Sequence, residues 1–319
     1  MKILQLSGSP VAGVPWAVRD ILRKHTSHEC RILGGYHAYK DGRTWGKPDW
    51  SLADLRGAME AVRWADVVVL HNGGKHPRVR SLPLKGKRLV AYYHSEPQMV
   101  DRYWEQRGVP TYVIAQGHSL LYPGMKMLPQ LMDFRDPLLF PVAPYAAGEV
   151  VIGYAPSNTH DNPQFNRDFP YSSKGWPGTR DVLAKLFKEG AADCRIFKGI
   201  PWRECMVGRR ACHIFIDECR TGSYHRSALE ASCHGQLVVT GLNEAVRKII
   251  LEVTGAADVP WLRASVETLY DELRSVIADR RGLGERMAST RKWMDTYWQP
   301  AALLNRFWLP ALEGAPMAR

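Results

Sequence analysis

None of the apolar runs in the sequence approaches the ~18 consecutive residues that a membrane-spanning helix requires. The sequence therefore predicts no such helix. Its six cysteines form no CxxC pair, and Cys212–His213 and Cys233–His234 lack the spacing of metal ligands. The first apolar run breaks at Gly8 and is too short for a signal peptide. We therefore expect a globular cytoplasmic protein with reduced thiols and no structural zinc site.

Acidic residues are scarce in the first half of the chain. The 319 residues include 43 Lys and Arg against 32 Asp and Glu, a net charge of +11. Residues 1–145 hold 20 basic and 12 acidic residues. The segment 67–95 holds no acidic residue and six basic ones: Lys75, Arg78, Arg80, Lys85, Lys87 and Arg88. This excess favours a polyanionic partner such as nucleic acid, anionic lipid or a phosphorylated ligand, and a solvated basic face without a partner is the alternative.

Short β-branched runs alternate with helical patterns along the whole chain. Strands are predicted at 2–6, 30–33, 66–70, 88–93, 112–115, 150–154, 194–197, 213–216 and 237–240. Helices are predicted at 16–25, 51–64 with Ser51 as N-cap, 180–189, 227–234, 266–278, 284–297 and 300–312. The alternation is typical of parallel α/β sheets.

A proline-rich stretch at 138–147 is the best linker in the sequence. We expect an N-terminal domain at 1–145 and a C-terminal domain at 146–319, with the last helices crossing back to the first domain. Both are predicted to be doubly wound, Rossmann-like α/β domains that face each other across a ligand cleft. Three polar clusters directly follow strands and therefore fall on the ligand edge: Ser7–Gly13, His71–Gly74 and His94–Glu96.

Three motifs of the C-terminal half follow one another in a characteristic order. They are Gly153–Asn158 (GYAPSN), Ser173–Gly175 (SKG) and Ser227–Thr240 (SALEASCHGQLVVT). This order resembles the GT-B glycosyltransferases, especially the retaining type that uses nucleotide sugars, and the resemblance covers most of residues 146–300. It implies the GT-B fold and the transfer of a sugar from a UDP-sugar or GDP-sugar to a hydroxyl group.

The resemblance also implies a donor site. Lys174 would bind the donor diphosphate, Glu230 would bond the ribose, and the turn at Arg226 and Ser227 would present backbone N–H groups to the diphosphate. A helix N-terminus suits an anion because its N–H groups are unpaired and carry partial positive charge. The glycine-rich loop that ends at Gly13 would approach the donor phosphate or the acceptor closely, and the GYAPSN motif contributes Ser157 and Asn158 to the donor-binding set.

The sequence departs from the family pattern at two points. The family's first glutamate of Glu-x7-Glu would fall at position 222, where Gly222 stands, and the family's arginine before the Lys-Gly pair is replaced by Asn158 in that neighbourhood. These departures leave the sugar undetermined. There is also no Asp-x-Asp motif, so we expect no essential metal and no other cofactor. Alternatives remain for two donor residues: Lys174 as an exposed loop lysine and Glu230 as a surface helix residue.

Two histidines compete for a role near the reaction centre. In similar enzymes a histidine of the N-terminal domain approaches the sugar, and His94 and His71 both follow predicted strands. We place His94 with Lys174 and Glu230 in the catalytic set and His71 with Asn72 in the acceptor-binding set, although either histidine could be a hydrogen-bonded strand end. Trp45 lies in an aromatic and basic loop and is expected to stack on a base or a sugar.

The acceptor is expected to bind the basic N-terminal half. The basic run 75–88 contains Pro77, Pro83 and Gly86, so it cannot form an amphipathic membrane helix and suits phosphate contacts instead. We therefore favour DNA that carries a hydroxymethylated base, such as 5-hydroxymethylcytosine, as in phage enzymes that modify DNA in the cytoplasm of a bacterial host. A lipid-linked or polysaccharide acceptor is the alternative. A non-catalytic nucleotide-binding or DNA-binding module with a GT-B-like fold is the alternative of another class.

Overall fold

The computed structural model describes residues 1–35, 45–134, 136–142, 148–156, 159, 161–168 and 170–316. The chain divides into two compact units: unit 1 comprises Met1–Asp133 with Pro300–Arg319, and unit 2 comprises Phe134–Gln299. No helix among the described residues is long and apolar enough to span a bilayer.

Unit 1 is built on a parallel sheet. In the part of the chain described, its strands are β1 (Lys2–Ser7), β2 (Glu29–Gly34), β3 (Trp50–Ser51), β4 (Val67–His71), β5 (Arg88–Tyr93), β6 (Thr111–Ile114) and β7 (Lys126–Leu128). They lie in the order β3-β2-β1-β4-β5-β6-β7. Its first two helices are α1 (Val14–His25) and α2 (Leu55–Trp64). The strand order reverses between β1 and β4, where Ser7 pairs with His71, and ligands of open α/β sheets bind at such a point.

Unit 2 has a second parallel sheet. Its described strands are β8 (Val151–Tyr154), β9 (Asp193–Ile196), β10 (Ile214–Glu218), β11 (Leu237–Thr240) and β12 (Leu262–Arg263), in the order β12-β11-β10-β8-β9. Its helices are α3 (Pro163–Asp168), α4 (Pro170–Ser173), α5 (Gly178–Lys188), α6 (Trp202–Arg209), α7 (Arg226–His234), α8 (Glu244–Thr254), α9 (Leu269–Ala278) and α10 (Arg280–Tyr297). The order reverses between β8 and β10, so the ends of these two strands mark the ligand edge.

The C-terminal helical segment belongs to unit 1. It consists of α11 (Pro300–Leu303), a π-helical turn (Leu304–Trp308) and α12 (Leu309–Glu313). Trp308 is fully buried, and its indole N–H donates to the carbonyl of Pro129 at 2.9 Å. Its ring meets the edge of Tyr92 on β5 at 5.0 Å between centroids.

The central strands of each sheet are largely apolar and are buried. The five residues of β4 and the four residues of β8 are all buried, as expected for parallel strands covered on both faces. In unit 2 the sheet packs against α5 and α9 through Leu183, Leu186 and Leu273. Full burial of such a side chain stabilises the fold by roughly 1.5–3 kcal/mol.

The sequence-based prediction of α2 is wrong at its beginning. Ser51 does not cap the helix; it lies in the short strand β3, and the N-cap position of α2 is Asp54. Four helices, α3, α4, α6 and α8, and three strands of two or three residues, β3, β7 and β12, were not anticipated. The other boundaries shift by up to four residues. The fold class itself, two parallel α/β sheets with helices, is confirmed.

Candidate active site

The candidate donor site of unit 2 begins at Lys174, which follows α4 directly. Its backbone has φ +52°, a left-handed conformation that is uncommon outside glycine, and Gly175 continues the turn with φ +89°. The carbonyl of Lys174 accepts a hydrogen bond from the Tyr154 hydroxyl at 3.2 Å. The turn directs the Lys174 ammonium to buried partners, so the alternative of an exposed loop lysine is wrong.

Lys174 pairs with Asp217, which lies near the end of β10. The Lys174 Nζ atom lies 3.2 Å from Asp217 Oδ1 and donates to Ser227 Oγ at 2.6 Å, and Ser227 Oγ donates to the same carboxylate. The other Asp217 oxygen accepts the backbone N–H of His225 at 2.7 Å. Burial raises the pKa of Asp217, but Lys174, His225 and the hydrogen bonds outweigh burial and hold that pKa well below its usual value.

The N-terminus of α7 is a potential anion site. No side chain caps this helix, and the first N–H groups of a helix have no acceptor within the helix. At the same end, the buried atoms His225 Nε2 and Arg226 Nη1 have no hydrogen-bond partner among the described residues. Arg226 is 91% buried at its side chain, and its Nε atom donates to Glu230. Backbone N–H groups and the Arg226 guanidinium therefore converge at this end of α7.

Glu230 occupies a buried cluster of cations. Its Oε1 atom accepts hydrogen bonds from Trp202 Nε1 at 2.9 Å and Arg226 Nε at 3.0 Å, and its Oε2 atom accepts one from Arg209 Nη1 at 2.8 Å. Burial raises the pKa of Glu230, but Arg209 and Arg226 outweigh burial and lower it. The alternative of a surface helix residue is wrong. Because a carboxylate accepts about four hydrogen bonds, Glu230 retains about one unused acceptor position.

A buried carboxylate organises the loop between β10 and α7. Glu218 accepts the backbone N–H groups of Arg220, Thr221 and Ser223 at 2.8, 2.7 and 3.0 Å. Gly222 lies in this loop with φ +73°, and a Cβ atom there would overlap Asn243. A glutamate at position 222 would be strained in this loop conformation.

Unit 1 brings its two candidate histidines together. His71 Nδ1 lies 2.8 Å from His94 Nε2, and His71 Nε2 lies 2.8 Å from Gln5 Oε1. The side chain of Asn72 accepts the backbone N–H of His94 at 2.7 Å and donates to Ser95 Oγ at 3.1 Å. These residues lie at or beyond the ends of β4 and β5, apart from Gln5 within β1. The two histidines therefore form one coupled group rather than two alternatives.

Most of the predicted phosphate-binding cations have partners within unit 1. Arg78 donates to the carbonyls of Leu52 and Ala53, Lys87 to those of Arg63 and Ala65, and Arg88 to that of Leu312. Arg80 forms a bidentate pair with Asp101 and lies over the Tyr103 ring. Lys75 and Lys85 are exposed.

Four of the six cations are divided between the two ends of the strands. Lys75 follows the carboxyl end of β4, whereas Lys85, Lys87 and Arg88 lie at the amino end of β5. Ligands of parallel sheets bind at the carboxyl ends of the strands. The expectation that the basic run acts as one phosphate-binding surface is therefore not supported by this topology, and Lys75 is its best-placed member.

Four further expected site residues belong to loops. The ring of Trp45 lies so close to Gly13 that a Cβ atom on this glycine, whose φ is +75°, would overlap it. The Trp45 ring therefore fills the space beside Gly13, the glycine that was expected to approach a phosphate. Ser157 and Asn158 lie outside the described residues.

No group of three or more His, Cys, Asp or Glu side chains that could hold a metal ion occurs among the residues described. The expectation of a metal-independent reaction stays a prediction.

Several residues of the site were not anticipated from the sequence. They are Asp217, His225, Arg209, Trp202 and Gln5. A charged pair at the end of an otherwise apolar strand, Asp217 and Glu218, is the signal that could have identified the first of them. The others become neighbours only through the tertiary structure.

Comparisons with known proteins place the fold. No protein-family model and no curated protein matches the sequence. Among solved structures, an alpha-glucosyltransferase in complex with UDP and a 13-mer DNA containing a central A:G mismatch has a TM-score of 0.64 at 10% identity, over 97% of this chain and 98% of that chain. Anabaena HepE in complex with UDP and glucose has a TM-score of 0.59 at 13% identity, over 97% and 98%.

A third similar structure is that of a protein named for a different activity. A putative UDP-N-acetylglucosamine 2-epimerase from Listeria monocytogenes has a TM-score of 0.52 at 12% identity, over 97% of this chain and 95% of that chain. Together with the two parallel sheets, these similarities show that the chain has the fold of the GT-B glycosyltransferases.

Proposed function

We propose that this protein is a nucleotide-sugar-dependent glycosyltransferase that binds its donor in unit 2. The observation that carries the proposal is the uncapped N-terminus of α7, where the buried Arg226 Nη1 atom has no hydrogen-bond partner among the described residues. A diphosphate group would satisfy this nitrogen together with the first backbone N–H groups of the helix.

The charges around α7 suit a diphosphate. Lys174, Arg209 and Arg226 face two carboxylates, Asp217 and Glu230, and the adjacent Glu218 carboxylate is bound by backbone N–H groups. Fixed positive groups in a dry site stabilise the charge that develops on a departing nucleoside diphosphate. The ion pair with Asp217 would hold the Lys174 ammonium in place before the donor binds.

UDP is the nucleotide we propose for the donor. Two of the similar structures contain UDP, namely the alpha-glucosyltransferase and Anabaena HepE, and the latter also contains glucose. Glu230, with about one hydrogen-bond site left, is proposed to accept a ribose hydroxyl. Because the similarities establish only the fold, UDP-glucose is the first donor to test rather than a conclusion about the sugar.

DNA with a hydroxymethylated base is the proposed acceptor, bound by unit 1. The support is the positive charge of residues 1–145 and the alpha-glucosyltransferase complex that contains DNA. Lys75 lies at the ligand edge of the unit 1 sheet and is exposed, so it is the cation we propose for a phosphate contact.

Mass spectrometry of DNA after incubation with UDP-glucose tests the proposal. We expect duplex DNA containing 5-hydroxymethylcytosine to gain one hexose per modified base, and DNA containing only cytosine to remain unchanged. Lys174→Met should abolish the gain, while Lys188→Ala, an exposed residue of α5, should retain it.

Other outcomes identify the alternatives. Transfer to a lipid-linked or polysaccharide acceptor, with none to DNA, would retain the enzyme class and reject the acceptor. Interconversion of UDP-N-acetylglucosamine without any acceptor would show an epimerase instead. Binding of UDP without turnover of any nucleotide sugar would favour the non-catalytic module.

A further inference from the structure

A chain of hydrogen bonds links three side chains of unit 1. It runs from Gln5 in β1 through His71 at the end of β4 to His94 just beyond β5, with both links 2.8 Å long. Gln5 and His71 are fully buried or nearly so, at 0% and 1% exposure. Such a chain has a direction, because each nitrogen between two partners either donates or accepts.

The Gln5 end determines that direction. The Gln5 Nε2 atom lies 3.6 Å from Cys30 Sγ, which leaves the carbonyl oxygen Oε1 for His71. Since Oε1 only accepts, His71 Nε2 must carry a hydrogen. Burial lowers the pKa of His71 to about 3, so the ring is neutral near pH 7 and His71 Nδ1 is left as an acceptor.

The hydrogen position on His71 in turn determines which nitrogen of His94 carries a hydrogen. Because His71 Nδ1 accepts, His94 Nε2 must donate. Burial, with smaller contributions from His71 and His118, holds the pKa of His94 well below its usual value, so this ring is also neutral. Its Nδ1 atom therefore carries a lone pair, and this buried atom has no hydrogen-bond partner among the described residues.

The surroundings of His94 support a neutral acceptor. The groups that face His94 are His71, His118 and Tyr92. The Tyr92 and His94 rings meet edge to face, with 4.0 Å between their centroids. None of these groups is an anion that would favour a protonated His94. A buried acceptor without a donor is costly, so a ligand that supplies one is favoured at this position.

We propose that Gln5 and His71 are positioning residues that fix the tautomer of His94, so that His94 Nδ1 accepts a hydrogen bond from a hydroxyl group of the substrate. The proposal rests on the proposed function only for the identity of that hydroxyl, which belongs either to the donor sugar or to the acceptor. The tautomer itself is a property of the free protein.

Long-range ¹H–¹⁵N spectra of histidine-labelled protein test the tautomer without any substrate. In the wild type, His94 should carry its hydrogen on Nε2, with assignment by His94→Gln. In Gln5→Glu, the carboxylate should protonate His71, which then donates to His94 and moves the His94 hydrogen to Nδ1. Cys30→Ala, which removes the other contact of Gln5, should retain the wild-type pattern. A wild-type His94 with its hydrogen on Nδ1 would overturn the proposal, even if the Gln5 and Cys30 variants do not fold.

Turnover then tests the role toward substrate. Gln5→Glu should lower kcat/KM by about tenfold or more, the scale of one lost buried hydrogen bond, and by more than Gln5→Leu does, whereas UDP affinity should not change. A general loss of packing would instead affect Gln5→Leu at least as strongly. A reversed tautomer with unchanged turnover would overturn the substrate contact. Failure of the wild type to transfer any sugar would reject the proposed function and leave the tautomer result standing.

Discussion

The Lys174 ammonium lies 3.2 Å from the Asp217 carboxylate, and both side chains are almost fully withdrawn from water, at 5% and 0% exposure. Breaking a buried pair by removing one partner is strongly destabilising because the remaining charge is uncompensated. Lys174 therefore has two roles that a single substitution cannot separate: it neutralises Asp217, and in our proposal it contacts the donor diphosphate.

A double substitution separates the two roles. Lys174→Met should lower the free energy of unfolding by about 3–5 kcal/mol, because it leaves Asp217 charged and unpaired. Adding Asp217→Asn should recover much of that loss without restoring UDP binding. Urea denaturation and UDP titration of the two variants measure these effects. Recovery of UDP affinity in the double variant would contradict the diphosphate role of Lys174.

Glu230 should contribute to stability as well as to the donor site. Glu230→Gln removes the negative charge between Arg209 and Arg226, two buried cations that would then repel each other. We expect a loss of about 3 kcal/mol in the free energy of unfolding, measured by urea denaturation. Glu204→Gln on α6, an exposed position, serves as the control and should cost little. Equal stability of the two variants would show that the cluster is not structurally important.

The buried histidine His71 predicts a pH dependence of stability. Its pKa is lowered to about 3 in the folded protein, whereas an unfolded histidine titrates near about 6.5. Below that value the unfolded state binds more protons, so acid destabilises the fold by up to about 1.4 kcal/mol per pH unit, and the penalty is absent above it. Unfolding measured between pH 5 and 6.5 should show a shallower slope for His71→Gln. Identical slopes would contradict a neutral buried His71.

The salt dependence of DNA binding tests the acceptor assignment at single residues. If Lys75 contacts a phosphate, Lys75→Ala should make the slope of log affinity against log salt shallower by about 0.9. Lys85→Ala removes the same charge at the amino edge of the sheet and should leave the slope unchanged. Titration of duplex DNA at several salt concentrations measures both. Equal effects of the two variants would indicate a diffuse electrostatic attraction instead of a site at the ligand edge.

Much of the fold could be predicted from the sequence because buried parallel strands are unmistakable apolar runs. The exceptions have physical causes. β3 and β12 are two residues long and β7 only three, too short for any periodicity to develop. By contrast, α8 had a detectable signal: Asn243 caps it and Gly255 ends it in a left-handed conformation.

The candidate site was only partly predictable. Lys174 and Glu230 lie in motifs, so a resemblance could identify them. Their partners could not be identified in this way, because Lys174 and Asp217 are 43 residues apart in sequence. They meet only in the folded chain, where the left-handed turn after α4 brings Lys174 to the end of β10. The placement of the basic run 75–88 could not be predicted for a similar reason. Only the topology shows that Lys75 lies at the carboxyl ends of the strands and Lys85 at their amino ends.

Calorimetric titration of UDP in the presence of a chelator tests the central claim, a metal-independent donor site at the N-terminus of α7, most directly. Wild type should bind one UDP with unchanged affinity after chelation, and Arg226→Met should bind it at least about tenfold more weakly, the scale of one lost charge-assisted hydrogen bond. Absence of UDP binding by the wild type, or binding that requires a divalent ion, would contradict the account.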